Sequence, residues 1–138
     1  MPVKAIAKGV NISPRKVGVV AGLVRDRSVA DAIIILEHTP RRSAIAVSKV
    51  IKSAQANAEH NHNYRPDSLY LTEISVTAGP RLKRYRPVSR GMAHPYIKRS
   101  SHIRVVVEGE KREIKKPATK ANSKAPAKSA TKPSKENK

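Results

Sequence analysis

Cysteine, phenylalanine and tryptophan are all missing from this chain. Without Cys there is no disulfide framework, no thiolate metal site and no thiol nucleophile, a composition at home in a reducing compartment. The four tyrosines are its only large aromatics. They exclude a large aromatic core and single-strand recognition by rows of stacked bases, which needs several exposed rings. No run of about 18 apolar residues exists, so no membrane-spanning helix and no membrane partner are expected. Lys4 and Lys8 interrupt what would have to be the apolar part of a secretory signal. A soluble, cytoplasmic protein is expected.

Negative charge is also scarce: 10 Asp plus Glu stand against 29 Lys plus Arg in 138 residues, a net +19. A compact domain with this much like charge repels itself and collects polyanions, which makes nucleic acid the default partner. The charge divides unevenly. Residues 111–138 hold ten Lys or Arg against Glu113 and Glu136, and little else beyond Ala, Pro, Ser, Thr and Asn. Such a stretch cannot offset its ordering entropy by burial, so a disordered basic tail that binds phosphates without sequence preference is expected after a domain of residues 1–110. Inside the domain, no acidic residue lies between Glu73 and Glu108, whereas Arg81, Lys83, Arg84, Arg86, Arg90, Lys98, Arg99 and Arg104 do.

The first third reads as helical. Ser13-Pro14 offers an N-cap followed by proline at the first helical position. Val17, Val20, Ala21 and Val24 then form an apolar stripe, with Gly18 and Gly22 expected to permit close approach of another element. Ser28 is placed to cap a short helix through Ala32 and Leu36. Thr39-Pro40 repeats the cap-plus-proline signal for a third helix to about Glu59, with Ala44, Val47, Val50, Ile51 and Ala54 on one face.

Beyond Asp67 the apolar period becomes two. Tyr70, Thr72, Ile74, Val76 and Ala78 alternate with Leu71, Glu73, Ser75 and Thr77; Ile103, Val105 and Val107 repeat the pattern, and Val3 to Lys8 predicts a third strand. The fold class is therefore α+β: three helices packed on a small antiparallel sheet, with a long projecting two-stranded β-hairpin and a disordered tail. In the hairpin, residues 79–104, Lys83 to Tyr85 can pair with Tyr96 to Lys98. The Pro- and Gly-rich stretch Arg86, Pro87, Val88, Ser89, Arg90, Gly91, Met92, Ala93, His94 and Pro95 predicts a turn or loop tip. Eleven residues from Gly79 to Arg90 reach roughly 35 Å when extended, against a radius of gyration of about 13 Å for a domain of this size. An isolated ribbon is marginal in water, so its charge points to a polyanionic partner.

No enzyme is expected. No carboxylate pair occupies a concave apolar context, and glycine-rich phosphate loops are missing. His60 and His62 have metal-ligand spacing but lack the further ligands zinc needs. They leave a metal-dependent nuclease as a remote alternative, and no cofactor or metal is expected.

Several blocks together resemble one family. Gly79-Pro80-Arg81-Leu82-Lys83-Arg84, Pro87, Arg90-Gly91 and Lys98-Arg99-Ser100-Ser101-His102-Ile103-Arg104-Val105-Val106-Val107 follow, in order, Ser13-Pro14-Arg15-Lys16, Ala32-Ile33-Ile34-Ile35-Leu36 and Ala54-Gln55-Ala56-Asn57-Ala58. The pattern is similar to the bacterial large-subunit ribosomal protein L-twenty-two (uL-twenty-two) family over residues 3–109. The resemblance implies a structural protein of the large ribosomal subunit that binds large-subunit ribosomal RNA and supports assembly. It also implies neighbouring ribosomal proteins as partners, no homo-oligomer, and a hairpin tip, residues 86–94, lining the nascent-peptide exit tunnel. Val88 and Met92 stand where many members carry basic residues.

The residues themselves supply a mechanism. The ribbon cations would neutralise phosphates and release counterions; Arg15, Lys16, Arg41 and Arg42 are further candidates on the body. The alternative is an architectural DNA-binding protein that uses a basic β-arm and a histone-like tail.

Overall fold

The computed structural model describes residues 1–112; the expected tail beyond them lies outside the described residues. The element order is β1 (Val3–Val10), α1 (Pro14–Val24), α2 (Val29–His38), α3 (Arg42–His62), β2 (Tyr70–Pro87) and β3 (Ala93–Glu108), with single 3-10 turns at Pro66–Ser68 and Ser89–Gly91. The three strands form one antiparallel sheet in the order β1-β3-β2. This is the α+β architecture that the change of period predicts.

The core lies between the helices and one face of the sheet. Val17, Val20, Ala21 and Val24 of α1, Ala32 and Leu36 of α2, and Val47, Ile51, Ala54 and Ala58 of α3 are buried against Val3, Leu71, Ile74, Ile103, Val105 and Val107. Ile51 is fully buried, and truncation of such a side chain to Ala costs about 2–5 kcal/mol. Val19, Leu23, Ile34 and Ile45 stay exposed, so the helices carry more apolar surface than their buried stripes require.

Two helix boundaries follow the sequence and one does not. Ser13 is the N-cap of α1 with Pro14 just inside. At α2 the Ser28 hydroxyl accepts from the Asp31 N–H at 3.1 Å and donates to the Asp31 carboxylate at 2.8 Å. Thr39-Pro40, expected to open α3, instead closes α2. The Thr39 hydroxyl donates to the Ile35 carbonyl at 2.7 Å, and the following proline holds Thr39 in an extended conformation. Helix α3 starts two residues later, with Arg41 as its N-cap, and ends at His62 with Asn63 in the left-handed region. The expectation for Gly18 and Gly22 also fails. Both face solvent one position off the buried stripe, and a Cβ at either would meet nothing within 4 Å.

The regular alternation of β2 is interrupted. Leu71 pairs with Val107 and Glu73 with Val106, so Thr72 is an extra residue on that strand. A bulge of this kind shifts the strand's phase, which puts Leu71 and Ile74 on the same core-facing side. Val106, on the face away from the helices, is still only 5% exposed. Lys111 and Arg112 belong to the body: Lys111 bridges to Tyr64, and the Arg112 N–H donates to the Asn63 carbonyl at 2.7 Å.

Candidate nucleic-acid interface

A second bulge marks the root of the hairpin. Ala78 pairs with Ser101 and Arg81 with Arg99, so Gly79 and Pro80 together face Ser100. The Ser100 hydroxyl donates to the Pro80 carbonyl at 2.7 Å. A Cβ on Gly79 would lie 2.6 Å from that hydroxyl oxygen, so glycine is required here by close approach. Beyond this point every residue from 80 to 99 is exposed.

The ribbon is a continuous ladder. Its register runs Arg81–Arg99, Leu82–Lys98, Lys83–Ile97, Arg84–Tyr96, Tyr85–Pro95, Arg86–His94 and Pro87–Ala93, as the pairing of Lys83 to Tyr85 with Tyr96 to Lys98 predicts. Pro87 and Pro95 withhold donors from the ribbon's outer edges, and the cations discourage a further strand from adding. The tip closes tightly. The Val88 N–H donates to the Met92 carbonyl at 2.9 Å, and Arg90 and Gly91 both adopt positive φ, 59° and 69°. Arg86 and His94 form a paired rung below the turn, whereas Val88 to Met92 make the loop.

Alternation of side chains sorts the ribbon into two faces. Arg81, Lys83, Tyr85 and Pro87 share one with Arg99, Ile97, Pro95 and Ala93; Leu82, Arg84 and Arg86 share the other with Lys98, Tyr96 and His94. On the second face the Arg86 guanidinium lies 5.8 Å from the centre of the Tyr96 ring, a cation–π contact that holds the arginine along the ribbon. Among the described residues the one salt bridge is Lys52 to Glu37 at 3.1 Å, on the body. None of the ribbon's seven cations meets a carboxylate there.

The predicted cations fall into separate groups. Arg81, Lys83, Arg84, Arg86, Arg90, Lys98 and Arg99 lie on the ribbon. Arg104 does not: it sits in the body sheet, exposed, between Ile6 of β1 and Ser75 of β2. Lys16, Arg41 and Arg42 converge, with Ser13 and Ser43, on a concavity of about 450 Å³ where α1 and α3 begin. Neither helix has an acidic residue in its first turn, so the positive ends of both dipoles reinforce the side-chain charge. Arg15 is exposed on the same turn of α1 but does not line that concavity. His60 and His62 are exposed at the end of α3, and among the described residues no three His, Cys, Asp or Glu side chains are grouped to hold a metal ion.

The charge pattern does not single out Tyr85 and Tyr96. Counting outward from the paired strands, two residues at a time, places them on opposite faces of the ribbon. Nor does it single out His102, whose Nδ1 accepts from the Gly9 N–H at 3.0 Å and ties β1 to the ribbon's root.

The family described as "Ribosomal protein L22p/L17e" matches residues 5–108, the body and the whole hairpin. The chain is 51% identical over 108 residues to a protein of Clostridium tetani named "Large ribosomal subunit protein uL22", covering 78% of this chain and 97% of that one. A protein of the same name from Oceanobacillus iheyensis is 51% identical over 111 residues, covering 80% of this chain and 98% of its own length. A third, from Lactobacillus helveticus, is 51% identical over 104 residues, 75% of this chain and 89% of that protein. With a family match across three quarters of its length and relatives at this identity, the chain belongs to the ribosomal protein L22p/L17e family.

Proposed function

We propose that this protein binds large-subunit ribosomal RNA by threading its basic ribbon between RNA segments, while its α+β body stays on the outer side of that contact. As a member of its family it is a structural constituent of the large ribosomal subunit rather than an enzyme, and in bacteria that subunit is cytoplasmic. One observation carries the reading: residues 80–99 hold seven cations and no carboxylate, and all of them are exposed. A two-stranded ribbon with this composition has no apolar burial of its own. Its ordered position on a ribosome is accounted for by phosphates, each neutralised with release of counterions. Arginine predominates, which suits bidentate contact with phosphate, and shape rather than base edges supplies most of the selectivity.

The cations at the start of α1 and α3, Lys16, Arg41 and Arg42, form a second phosphate-binding site, with Arg15 and Arg104 as outlying contacts. The tip, residues 86–94, lines the exit tunnel and meets the nascent polypeptide. The body meets neighbouring ribosomal proteins as a single copy, and early binding supports subunit assembly. The Lys-rich stretch 113–138 adds contacts of low sequence preference.

Binding of the purified protein to protein-free large-subunit ribosomal RNA, measured across a salt series against duplex DNA of equal length, tests this reading. Preference for the RNA with a steep salt dependence is the expected result. Equal or tighter binding to DNA would favour the architectural alternative.

A further inference from the structure

The chain has four tyrosines and no other large aromatic residue, and three of the four rings are engaged within the protein. Tyr64 is buried, and its hydroxyl donates to the Met1 carbonyl at 2.8 Å. The Tyr70 hydroxyl donates to the Glu108 carboxylate at 3.0 Å. Tyr96 lies under the Arg86 guanidinium. Tyr85 differs: it is 71% exposed, and among the described residues its hydroxyl has no hydrogen-bond partner and its ring no aromatic or cationic one. Its cross-strand partner is Pro95, which carries no charge and no donor.

We propose that Tyr85 is a stacking platform for one unpaired base of the RNA. The assignment rests on the ribbon's reading as an RNA-binding arm. A large flat ring left in water forgoes its apolar burial, and here the neighbours select the occupant. Arg81, Lys83 and Arg99 share its face, so a strand whose phosphates pair with these cations brings a base within reach of the ring. An RNA base offers a π-face of any sequence, and splayed single-stranded bases are commonly held on such rings. Tyrosine suits this use, since only two side-chain torsions must be fixed. Pro95 opposite and Pro87 on the same face stiffen the backbone around the ring. One ring supplies one stacked base, in keeping with a protein that has too few aromatics for a row of them.

The experiment compares wild type, Tyr85→Phe and Tyr85→Leu for binding to protein-free large-subunit ribosomal RNA over a salt series, with base-specific chemical probing of each complex. The exposed position makes no contact with the body, so the variants fold as the wild type does, checked by circular dichroism. Tyr85→Leu is expected to lose affinity on the order of ten-fold with an unchanged salt slope, and to expose one unpaired base that wild type and Tyr85→Phe both protect. If Tyr85→Leu binds like wild type and protects the same bases, the stacking role is overturned while the ribbon's electrostatic role stands. If wild type itself binds this RNA without salt dependence, the RNA reading of the ribbon falls, and the stacking role with it.

Discussion

Arg81 and Arg99 face each other as the first rung of the ribbon, partners in the antiparallel register just beyond the Gly79-Pro80 bulge. Like charges directly opposite in a sheet are destabilising, and among the described residues no carboxylate lies in salt-bridge range of either. The chain thus opens its longest exposed element with a repulsion that no described residue relieves. A polyanion relieves it. Where a sequence breaks a local rule without internal compensation, the compensation is sought in function, and in the proposed RNA complex it is a phosphate shared by, or set beside, two guanidinium groups.

Replacing Arg84 and Arg99 with Ala should weaken RNA binding and flatten its salt dependence. Each phosphate that is no longer neutralised reduces the magnitude of the slope of log K against log salt by about 0.7 to 0.9. A filter-binding series at several salt concentrations checks this; an unchanged slope would mean that neither arginine meets a phosphate.

Removal of four rungs, residues 82–85 together with 95–98, keeps the pairing in phase and shortens the ribbon by roughly 13 Å. Body stability should stay as in wild type, because the deleted residues are exposed throughout. Affinity for RNA should fall steeply. Thermal unfolding and RNA binding on the same preparation separate the two effects, and a large drop in Tm would make the ribbon part of the core.

Two glycines should respond to Ala with opposite sign. At Gly79 the new methyl would sit 2.6 Å from the Ser100 hydroxyl oxygen and 3.2 Å from its backbone carbon, so Gly79→Ala should loosen the ribbon's root at a cost of about 1–3 kcal/mol. At Gly18, inside α1, nothing lies within 4 Å, and Gly18→Ala should stabilise by about 0.5–1 kcal/mol. Urea titration of both variants decides.

Tyr70 should be slow to ionise. Its hydrogen bond to the Glu108 carboxylate, reinforced by that group's negative charge, raises its pKa above the ordinary tyrosine value of 10.0. Ionisation would remove the donor and set a second negative charge beside Glu108. The stabilising contribution is therefore complete below the unfolded value and is lost as pH climbs through the raised one. Spectrophotometric titration of the tyrosines should show a late Tyr70 transition that moves down in Glu108→Gln.

Much of the fold is legible in the chain itself. The stripe Val17, Val20, Ala21 and Val24 and the Ser28 cap are local signals, and the fold keeps them. The acid-free interval from Glu73 to Glu108 marks the ribbon without any knowledge of its pairing. What cannot be read is set by tertiary geometry. The extra residue at Thr72 changes which residues of β2 face the helices, and a period-2 count passes over it. Thr39-Pro40 carries a start signal that is spent on ending α2. Lys16 is distant in sequence from Arg41 and Arg42, and only the packing of α1 beside α3 brings them to one concavity.

The most direct test of RNA binding by the ribbon is a protein–RNA cross-linking map of purified large subunits, with the adducts located by mass spectrometry. Adducts to ribosomal RNA are predicted on both strands of the ribbon, at residues 81–86 and 96–99, with a weaker set at Lys16, Arg41 and Arg42. Adducts confined to the body, with the ribbon free of RNA, would contradict it.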